Sequence, residues 1–279
     1  MKLQDAFDQC LKTEWRGTRG ETTATINAQA ALDFFGERST LKSITTKLLD
    51  KYVLHLASTG NGPATINRKL AALSKLLRYG LHRQELAVMP HIPHQREPRG
   101  RLRWLTDEEE RRMITALCDR GMHEHARMVE MLVDTGLRPS ELWRVRAADY
   151  TAGILVLKAT KNGLTRALPL TTRCRYHVEG RISRGEDRLF PHDNAWMNYG
   201  WNIAKRAIGL ADDKEFVVYA LRHTCASRLL QKNVSLHVVQ GWLGHTNPKQ
   251  TMRYAHLSMA NYQQACTMLE GSGRHGTTI

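Results

Sequence analysis

Apolar residues recur at helical spacing along the first third of the chain. Residues 22–35 and 46–59 each place apolar side chains three or four positions apart, which is the pattern of an amphipathic helix. The run 60–63 holds two glycines and a proline and predicts a turn before a third helix. Four apolar side chains share one face of that helix: Ile66, Leu70, Leu73 and Leu77. The pattern predicts a small helical domain over residues 1–94.

A basic, proline-containing stretch follows this domain. Residues 90–103 hold three prolines and a glycine, which prevent a regular helix, together with four arginines. We interpret residues 95–103 as a basic linker and residues 104–279 as a second domain with a C-terminal tail. An extended linker of this composition can follow a DNA backbone or act only as a tether.

The second domain combines further helices with one hairpin. Thr106 and Glu109 have the spacing of a capping box, and residues 125–135 show a helical pattern. In residues 154–170, two apolar runs flank Asn162-Gly163, which predicts a hairpin with a type I′ turn. Helical patterns return at 194–208, 222–232 and 235–243. The predicted fold is therefore mainly α with a small antiparallel β-sheet, in which a helical domain precedes a larger, mainly helical domain.

The charge of the chain indicates a polyanionic partner. Lys and Arg number 41 against 27 Asp and Glu, a net charge of +14. Residues 1–94 carry +5 and the remainder +9, so both domains are basic. Nucleic acid is the first candidate, although a basic enzyme with an unrelated substrate would show the same balance.

Several classes of protein do not fit the sequence. No apolar run has the length of a membrane span, and the N-terminus lacks the apolar stretch of a signal peptide. The five cysteines are scattered and odd in number, which argues against a disulfide framework or a zinc site. We expect a cytoplasmic protein, associated with the nucleoid when bound to DNA.

Four separated segments carry residue types suited to phosphodiester chemistry without a metal. An arginine fork donates two hydrogen bonds to a phosphate, a lysine can protonate a leaving hydroxyl, and a tyrosine near arginines can act as nucleophile. Taken singly, each residue type has a commoner structural role. The segments are 135–142 with Arg138, the hairpin tip with Lys161, 221–224 with Arg222, and 243–254 with His245 and Tyr254.

The order and spacing of these segments resemble the tyrosine recombinase (phage integrase) family. TGLRPSEL begins at Thr135, LRHT begins at Leu221, and LGH precedes a tyrosine nine residues after its histidine. The resemblance implies that two arginines bind the scissile phosphate, a hairpin lysine is the general acid, a histidine hydrogen-bonds the phosphate, and a tyrosine forms a 3′-phosphotyrosine. The matching residues are Arg138, Arg222, Lys161, His245 and Tyr254, with Glu141 supporting Arg138.

The resemblance also implies the domain roles and the reaction. The helical domain would bind the core DNA site, and the second domain would be the tyrosine recombinase catalytic domain. A site-specific recombinase of this kind cleaves and rejoins double-stranded DNA without cofactor or metal, because the protein–DNA ester stores the bond energy. Four protomers would assemble on two DNA sites, each clamping the duplex between its two domains. We expect integration or excision of phage or mobile-element DNA rather than chromosome dimer resolution, and an affinity for DNA that falls steeply with salt.

One position departs from the family pattern. The family commonly has histidine three residues before its second arginine, where this chain has Tyr219. A phenol can donate a hydrogen bond to phosphate but is a poor base near neutral pH. Either Tyr219 is only a donor, or His245 takes more of the proton transfer. His223 is expected to point to another side of its helix.

Two alternatives and a set of DNA contacts remain open. Tyr219 would suit a DNA-binding regulator of recombination with impaired catalysis, and a topoisomerase-like nicking enzyme would use the same chemistry without joining two duplexes. Basic residues on the third helix and linker are candidates for DNA contacts, although a solvated helix face explains the former equally well. They are Arg68, Lys69, Lys75, Arg99, Arg101 and Arg103.

Overall fold

Helices make up most of the protein, and a three-stranded antiparallel sheet lies in its second half. The computed structural model describes residues 1–18, 20–98, 102–158, 165–258 and 266–269. The mainly α fold with a small antiparallel sheet is confirmed. Its helices are Leu3–Cys10 (α1), Glu21–Phe35 (α2), Thr46–Ser58 (α3), Pro63–His82 (α4), Asp107–Cys118 (α5), His123–Thr135 (α6), Pro139–Leu142 (α7), Thr172–Ile182 (α8), Asn194–Ala207 (α9), Ala220–Gln231 (α10), Leu236–Leu243 (α11) and Lys249–Met252 (α12).

The chain divides into two compact units, Met1–Gly100 and Arg101–Ile279. Their boundary falls inside the predicted linker, 95–103. Residues 95–98 of that linker belong to the first unit, because Asn67 on α4 accepts a hydrogen bond from the backbone of Gln95 at 2.7 Å and donates to its carbonyl at 2.8 Å, whereas residues 102–103 belong to the second.

The first unit is held by the apolar faces of α1 to α4. The stripe predicted on α4 is buried, and none of its four side chains is more than 3% exposed. Pro63 occupies the first position of α4, where its missing N–H costs no hydrogen bond. Helix α1 was not predicted, although Leu3 and Phe7 bury one face of it.

The sheet lies in the second unit and carries the predicted hairpin. Strand β1 (Tyr150–Thr151) pairs with β2 (Ile154–Leu157), which pairs with β3 (Arg166–Pro169). The Asn162-Gly163 turn lies outside the described residues. Helix α8, which follows the sheet, was not predicted because its buried stripe is narrow, with Cys174, Val178 and Arg181 as its buried residues.

Gly136 ends α6 and brings the chain close to two other helices. Its φ of 61° is left-handed, and a Cβ there would lie 2.7 Å from Leu243 Cδ2 and 3.0 Å from Cys225 Sγ. Gly121 has a similar φ of 69°, but an added Cβ would meet no atom within 4 Å. Comparing substitutions at the two glycines therefore distinguishes the cost of backbone strain from the cost of steric crowding.

Gly136→Ala is expected to destabilise the protein more than Gly121→Ala. The left-handed backbone alone should cost about 1–2 kcal/mol in each variant. Crowding against Leu243 and Cys225 should add about 1–3 kcal/mol in Gly136→Ala. Urea denaturation followed by tryptophan fluorescence measures both. Equal losses in the two variants would show that the neighbours of Gly136 move aside freely.

Candidate active site

Arg138 lies at the junction between α6 and α7. Gly136 ends the first helix and Pro139 begins the second, so the chain turns sharply at the arginine. Glu141 accepts hydrogen bonds from the Arg138 backbone N–H at 2.9 Å and from Nη1 at 2.7 Å. The Arg138 side chain is 25% exposed. It is thus held from behind by Glu141 while remaining accessible to a ligand.

Glu141 also binds a second arginine, which comes from the sheet. Arg166 on β3 donates from Nη2 to Glu141 at 2.9 Å and from Nη1 to the carbonyl of Leu243 at 2.8 Å. Burial acts to raise the pKa of Glu141, but the charges of Arg166 and Arg138 outweigh it, and the net shift is downward. The carboxylate therefore stays ionised between two guanidinium groups.

Arg222 on α10 is almost completely buried and joins two turns of the fold. Its Nη1 donates to the carbonyl of Gly136 at 2.6 Å, and its Nη2 donates to the carbonyl of Leu243 at 2.7 Å. Its Nε has no partner among the described residues. Burial lowers its pKa to about 10, which leaves it protonated at neutral pH. Arg222 thus ties the end of α6 to the end of α11.

His245 follows the left-handed Gly244 that ends α11. Its Nδ1 lies 2.8 Å from the hydroxyl of Thr251, and the residue is 8% exposed. Burial lowers the pKa of His245 to about 4, with a further contribution from Arg222 and the other arginines. His245 is therefore neutral at neutral pH, and it lines a cleft of about 310 Å³ together with Arg166.

Tyr254 is 1% exposed and packs with apolar side chains of α10 and α11. Its hydroxyl lies 2.5 Å from Nδ1 of His223. Burial raises the pKa of Tyr254 to about 12, although Arg253 acts in the opposite direction. Tyr254 is consequently a protonated phenol in this arrangement.

Tyr219 precedes α10 and shares a cleft with Arg138. The cleft has a volume of about 380 Å³ and includes both side chains in its lining. The Tyr219 ring is 40% exposed and meets the ring of His223 edge to face at a centroid distance of 5.1 Å. Arg138, Tyr219 and His223 therefore form a continuous line of side chains from the cleft toward Tyr254.

The bonded core of this site carries excess positive charge. Arg138, Arg166 and Arg222 contribute three guanidinium groups, and Glu141 is the carboxylate bonded to two of them. Arg166 and Arg222 both donate to the carbonyl of Leu243. The cluster is suited to an anion such as phosphate, whose oxygens accept charge-assisted hydrogen bonds.

Comparison with known proteins identifies the family of the chain. The sequence profile of the phage integrase family matches residues 103–261. The chain therefore belongs to the phage integrase family. Tyrosine recombinase XerC of Staphylococcus carnosus is 26% identical, over 92% of this chain and 93% of its own length. This membership confirms the resemblance and the enzyme class, a tyrosine-type recombinase.

Two solved integrase structures share the fold of this recombinase. The Tn1549 transposon integrase, in complex with circular intermediate DNA, aligns with a TM-score of 0.74 at 15% identity, covering 91% of this chain and 95% of that one. Lambda integrase, as a tetramer bound to a Holliday junction, aligns with a TM-score of 0.75 at 19% identity, covering 90% of this chain and 76% of that one.

The tertiary structure brings four of the five predicted catalytic residues of this recombinase into one region. Arg138, Arg222, His245 and Tyr254 come from α7, α10, α11 and α12 or the residues beside them. The fifth, Lys161, lies outside the described residues and stays a prediction.

The predicted DNA contacts have different outcomes. Arg99 and Arg101 lie outside the described residues. Arg103 is bound internally, with Nε 2.9 Å from Asp213 and further bonds to Glu109. Arg68 is exposed on α4, whereas Lys69 is half-buried and Lys75 pairs with Glu14 at 3.1 Å.

His223 points to another side of α10 than Arg222, as expected, but that side faces Tyr254 and is therefore part of the site. Neighbouring residues on a helix do differ by about 100° in direction. Arg222 faces the turns at Gly136 and Leu243, but Tyr254 packs on the adjacent face of α10. His223 shares that face with Ala226 and Leu230, three and seven residues later, and both pack with Tyr254. This helical stripe was visible in the sequence.

Arg166 was missed, although a signal for it existed. In β3, Leu168 is buried while Ala167 and Pro169 are exposed, so Arg166 lies on the buried face of the alternating strand. An arginine on a buried face needs an ionised partner. The pattern therefore pointed to a carboxylate such as Glu141 elsewhere in the fold.

The described residues contain neither a membrane-spanning helix nor a cluster of metal ligands. Within them, no helix is both long and apolar enough to cross a membrane. Nor do the described histidines, cysteines and carboxylates gather in any group of three that could hold a metal ion.

Proposed function

We propose that this chain is a site-specific DNA recombinase that cleaves and rejoins strands through a 3′-phosphotyrosine at Tyr254. The observation that supports it most directly is the placement of Tyr254 beside His223 and Arg222 in a site rich in guanidinium groups. Arg138, Arg222 and His245 would stabilise the negative charge that develops on the phosphate during attack.

The proposed reaction proceeds in two balanced steps. Tyr254 gives its proton to a basic group of the site, its oxygen attacks phosphorus, and the displaced 5′ oxygen of the next nucleotide takes a proton from Lys161. A 5′ hydroxyl then attacks the phosphotyrosine and gives its proton to the neutral Lys161, while the departing Tyr254 oxygen regains the proton held by the basic group. Because Tyr254 is buried here, DNA binding has to open access to its hydroxyl.

A basic stripe on α4 is the proposed phosphate-binding surface of the first unit. Arg68, Lys75, Arg78 and His82 are spaced by seven, three and four residues, which places them on one face of the helix. The last three line a cleft of about 430 Å³ together with Arg83. Contacts of this kind position a protein on DNA without reading its sequence.

The proposed substrate is double-stranded DNA at the ends of a phage or other mobile element, bound by four copies of the chain. The assignment to phage or mobile-element DNA rests on the family resemblance. Chromosome dimer resolution is the competing role within the same chemistry. The two roles differ in their products. An integrase joins the ends of the mobile element to a second duplex, whereas a resolving enzyme exchanges strands between two identical chromosomal sites.

A regulator without catalysis is the second candidate. The raised pKa of Tyr254 and the tyrosine at position 219 favour it, because neither supplies a ready nucleophile or base. Such a protein would bind the same DNA and form no covalent bond to it.

A trapping experiment tests the proposal. A duplex is first selected from a random-sequence pool by repeated binding, and nicks are then placed along it one position at a time. Cleavage just before a nick releases a short fragment and leaves the protein attached to DNA. We expect a covalent band on a denaturing gel and a nucleotide-modified peptide containing Tyr254 by mass spectrometry. A duplex that binds tightly but gives no band at any nick position would favour the regulator.

A further inference from the structure

We propose that His223 is the group that accepts the phenolic proton of Tyr254 when the tyrosine attacks DNA. This assignment rests on the proposed function and names a catalytic residue for it. Sequence reasoning had left two possibilities open: Tyr219 is only a hydrogen-bond donor, or His245 takes more of the proton transfer.

The geometry singles out His223 among the candidates. Its Nδ1 lies 2.5 Å from the Tyr254 oxygen, the atom that forms the new bond to phosphorus. The corresponding nitrogen of His245 contacts Thr251 instead. Tyr219 meets the ring of His223, and no bond from Tyr219 to Tyr254 is seen among the described residues. Of the three side chains, His223 alone has a described contact with the nucleophilic oxygen.

The surroundings of His223 keep it neutral and able to accept a proton. Burial, together with the charges of Arg253 and Arg222, lowers its pKa to about 4. A bound phosphate would offset those positive charges and make the imidazole more basic. The titratable and charged groups around it are Tyr219 just before α10, Arg222 on α10, Arg253 and Tyr254 after α12, and His245 after α11.

The packing of α10 fixes the direction of this contact. Arg222 is anchored by two carbonyl groups, which sets the rotation of the helix. Ala226 and Leu230 pack with Tyr254 on the same helix face as His223. A proton acceptor held by a rigid helix needs little reorganisation when the reaction occurs.

In the cleavage step the phenolic proton of Tyr254 passes to His223. The Tyr254 oxygen forms a bond to phosphorus, the bond from phosphorus to the 5′ oxygen breaks, and the Tyr254 proton moves to Nδ1 of His223. A neutral His223 with its other proton on Nε2 becomes an imidazolium. In the rejoining step the imidazolium returns this proton to the departing Tyr254 oxygen.

The test compares His223→Asn with wild type and with His123→Asn in single-turnover cleavage of the nicked duplex. Asparagine keeps an acceptor near the position of Nδ1 but cannot take a proton. His123 is exposed at the start of α6, so the same change there is a control. We expect His223→Asn to slow covalent adduct formation by about 10²–10³-fold, with DNA affinity and thermal midpoint near wild type. His223→Ala should be impaired to a similar degree.

The pH profile separates proton transfer from positioning. Without an internal acceptor the phenol must lose its proton to solvent, so the His223→Asn rate should rise about tenfold per pH unit between pH 7 and 9, while wild type stays nearly flat. A substrate with sulfur in place of the 5′ bridging oxygen has a leaving group that needs no protonation. The defect of His223→Asn should persist with it, because the attacking side is affected.

The outcomes are distinct. Wild-type cleavage with an equally fast His223→Asn variant would overturn the role of His223 and leave the proposed function intact. A faster variant would overturn it as well and identify the contact as a restraint that keeps Tyr254 buried. If the sulfur substrate restored the cleavage rate of His223→Asn, His223 would act on the leaving 5′ oxygen and not on Tyr254, which overturns the proposal. A wild-type protein that forms no adduct would instead overturn the proposed function itself.

Discussion

Tyr254→Phe is expected to abolish the covalent protein–DNA adduct while leaving DNA binding intact. The substitution removes one hydroxyl and keeps the ring, which packs with Leu243 and other apolar side chains. The lost hydrogen bond to His223 should cost about 1 kcal/mol of stability. Adduct formation should fall by about 10⁵-fold or more, because loss of a nucleophile removes the reaction path.

Tyr199→Phe is the matched control for this variant. Tyr199 lies in the same unit and is 65% exposed, so removal of its hydroxyl should leave cleavage unchanged. Adduct yield on the nicked duplex and DNA affinity are measured for both proteins. An adduct that survives in Tyr254→Phe would mean that another residue is the nucleophile.

Glu141→Gln is expected to lower the free energy of unfolding by about 3–5 kcal/mol. Glu141 forms ion pairs with Arg138 and Arg166, and the side chains of Glu141 and Arg166 are only 11% and 9% exposed. An amide of the same shape leaves the buried Arg166 without a compensating charge. Urea denaturation measures the loss, and the same variant should slow cleavage because Glu141 holds Arg138 in place.

Glu108→Gln supplies the control for this ion pair. Glu108 pairs with Arg111 at 2.6 Å, but both side chains are more than half exposed, so the loss should stay below about 1 kcal/mol. Combining Glu141→Gln with Arg166→Gln should restore part of the stability, since the uncompensated charge is removed. Equal losses for Glu141→Gln and Glu108→Gln would show that water reaches Arg166.

Residue patterns could predict those helices, caps and strands that depend on nearby residues. The apolar stripe of α4, the capping box at Thr106 and the strands of the hairpin depend on neighbours within a few positions. These elements appear where they were expected. The short helix α1 and the polar helix α8 were missed because burial against the rest of the protein, more than their own periodicity, stabilises them.

The residues of the candidate site also differ in how far local sequence could predict them. Residue type and spacing were enough to predict the family, the fold class and the motifs around Arg138, Arg222, His245 and Tyr254. The contact of His223 with Tyr254, 31 residues away, and that of Arg166 with Glu141, 25 residues away, could be seen only in the folded protein. Such contacts join separate elements, and the packing of α10 and of the sheet on their neighbours sets the direction of each side chain.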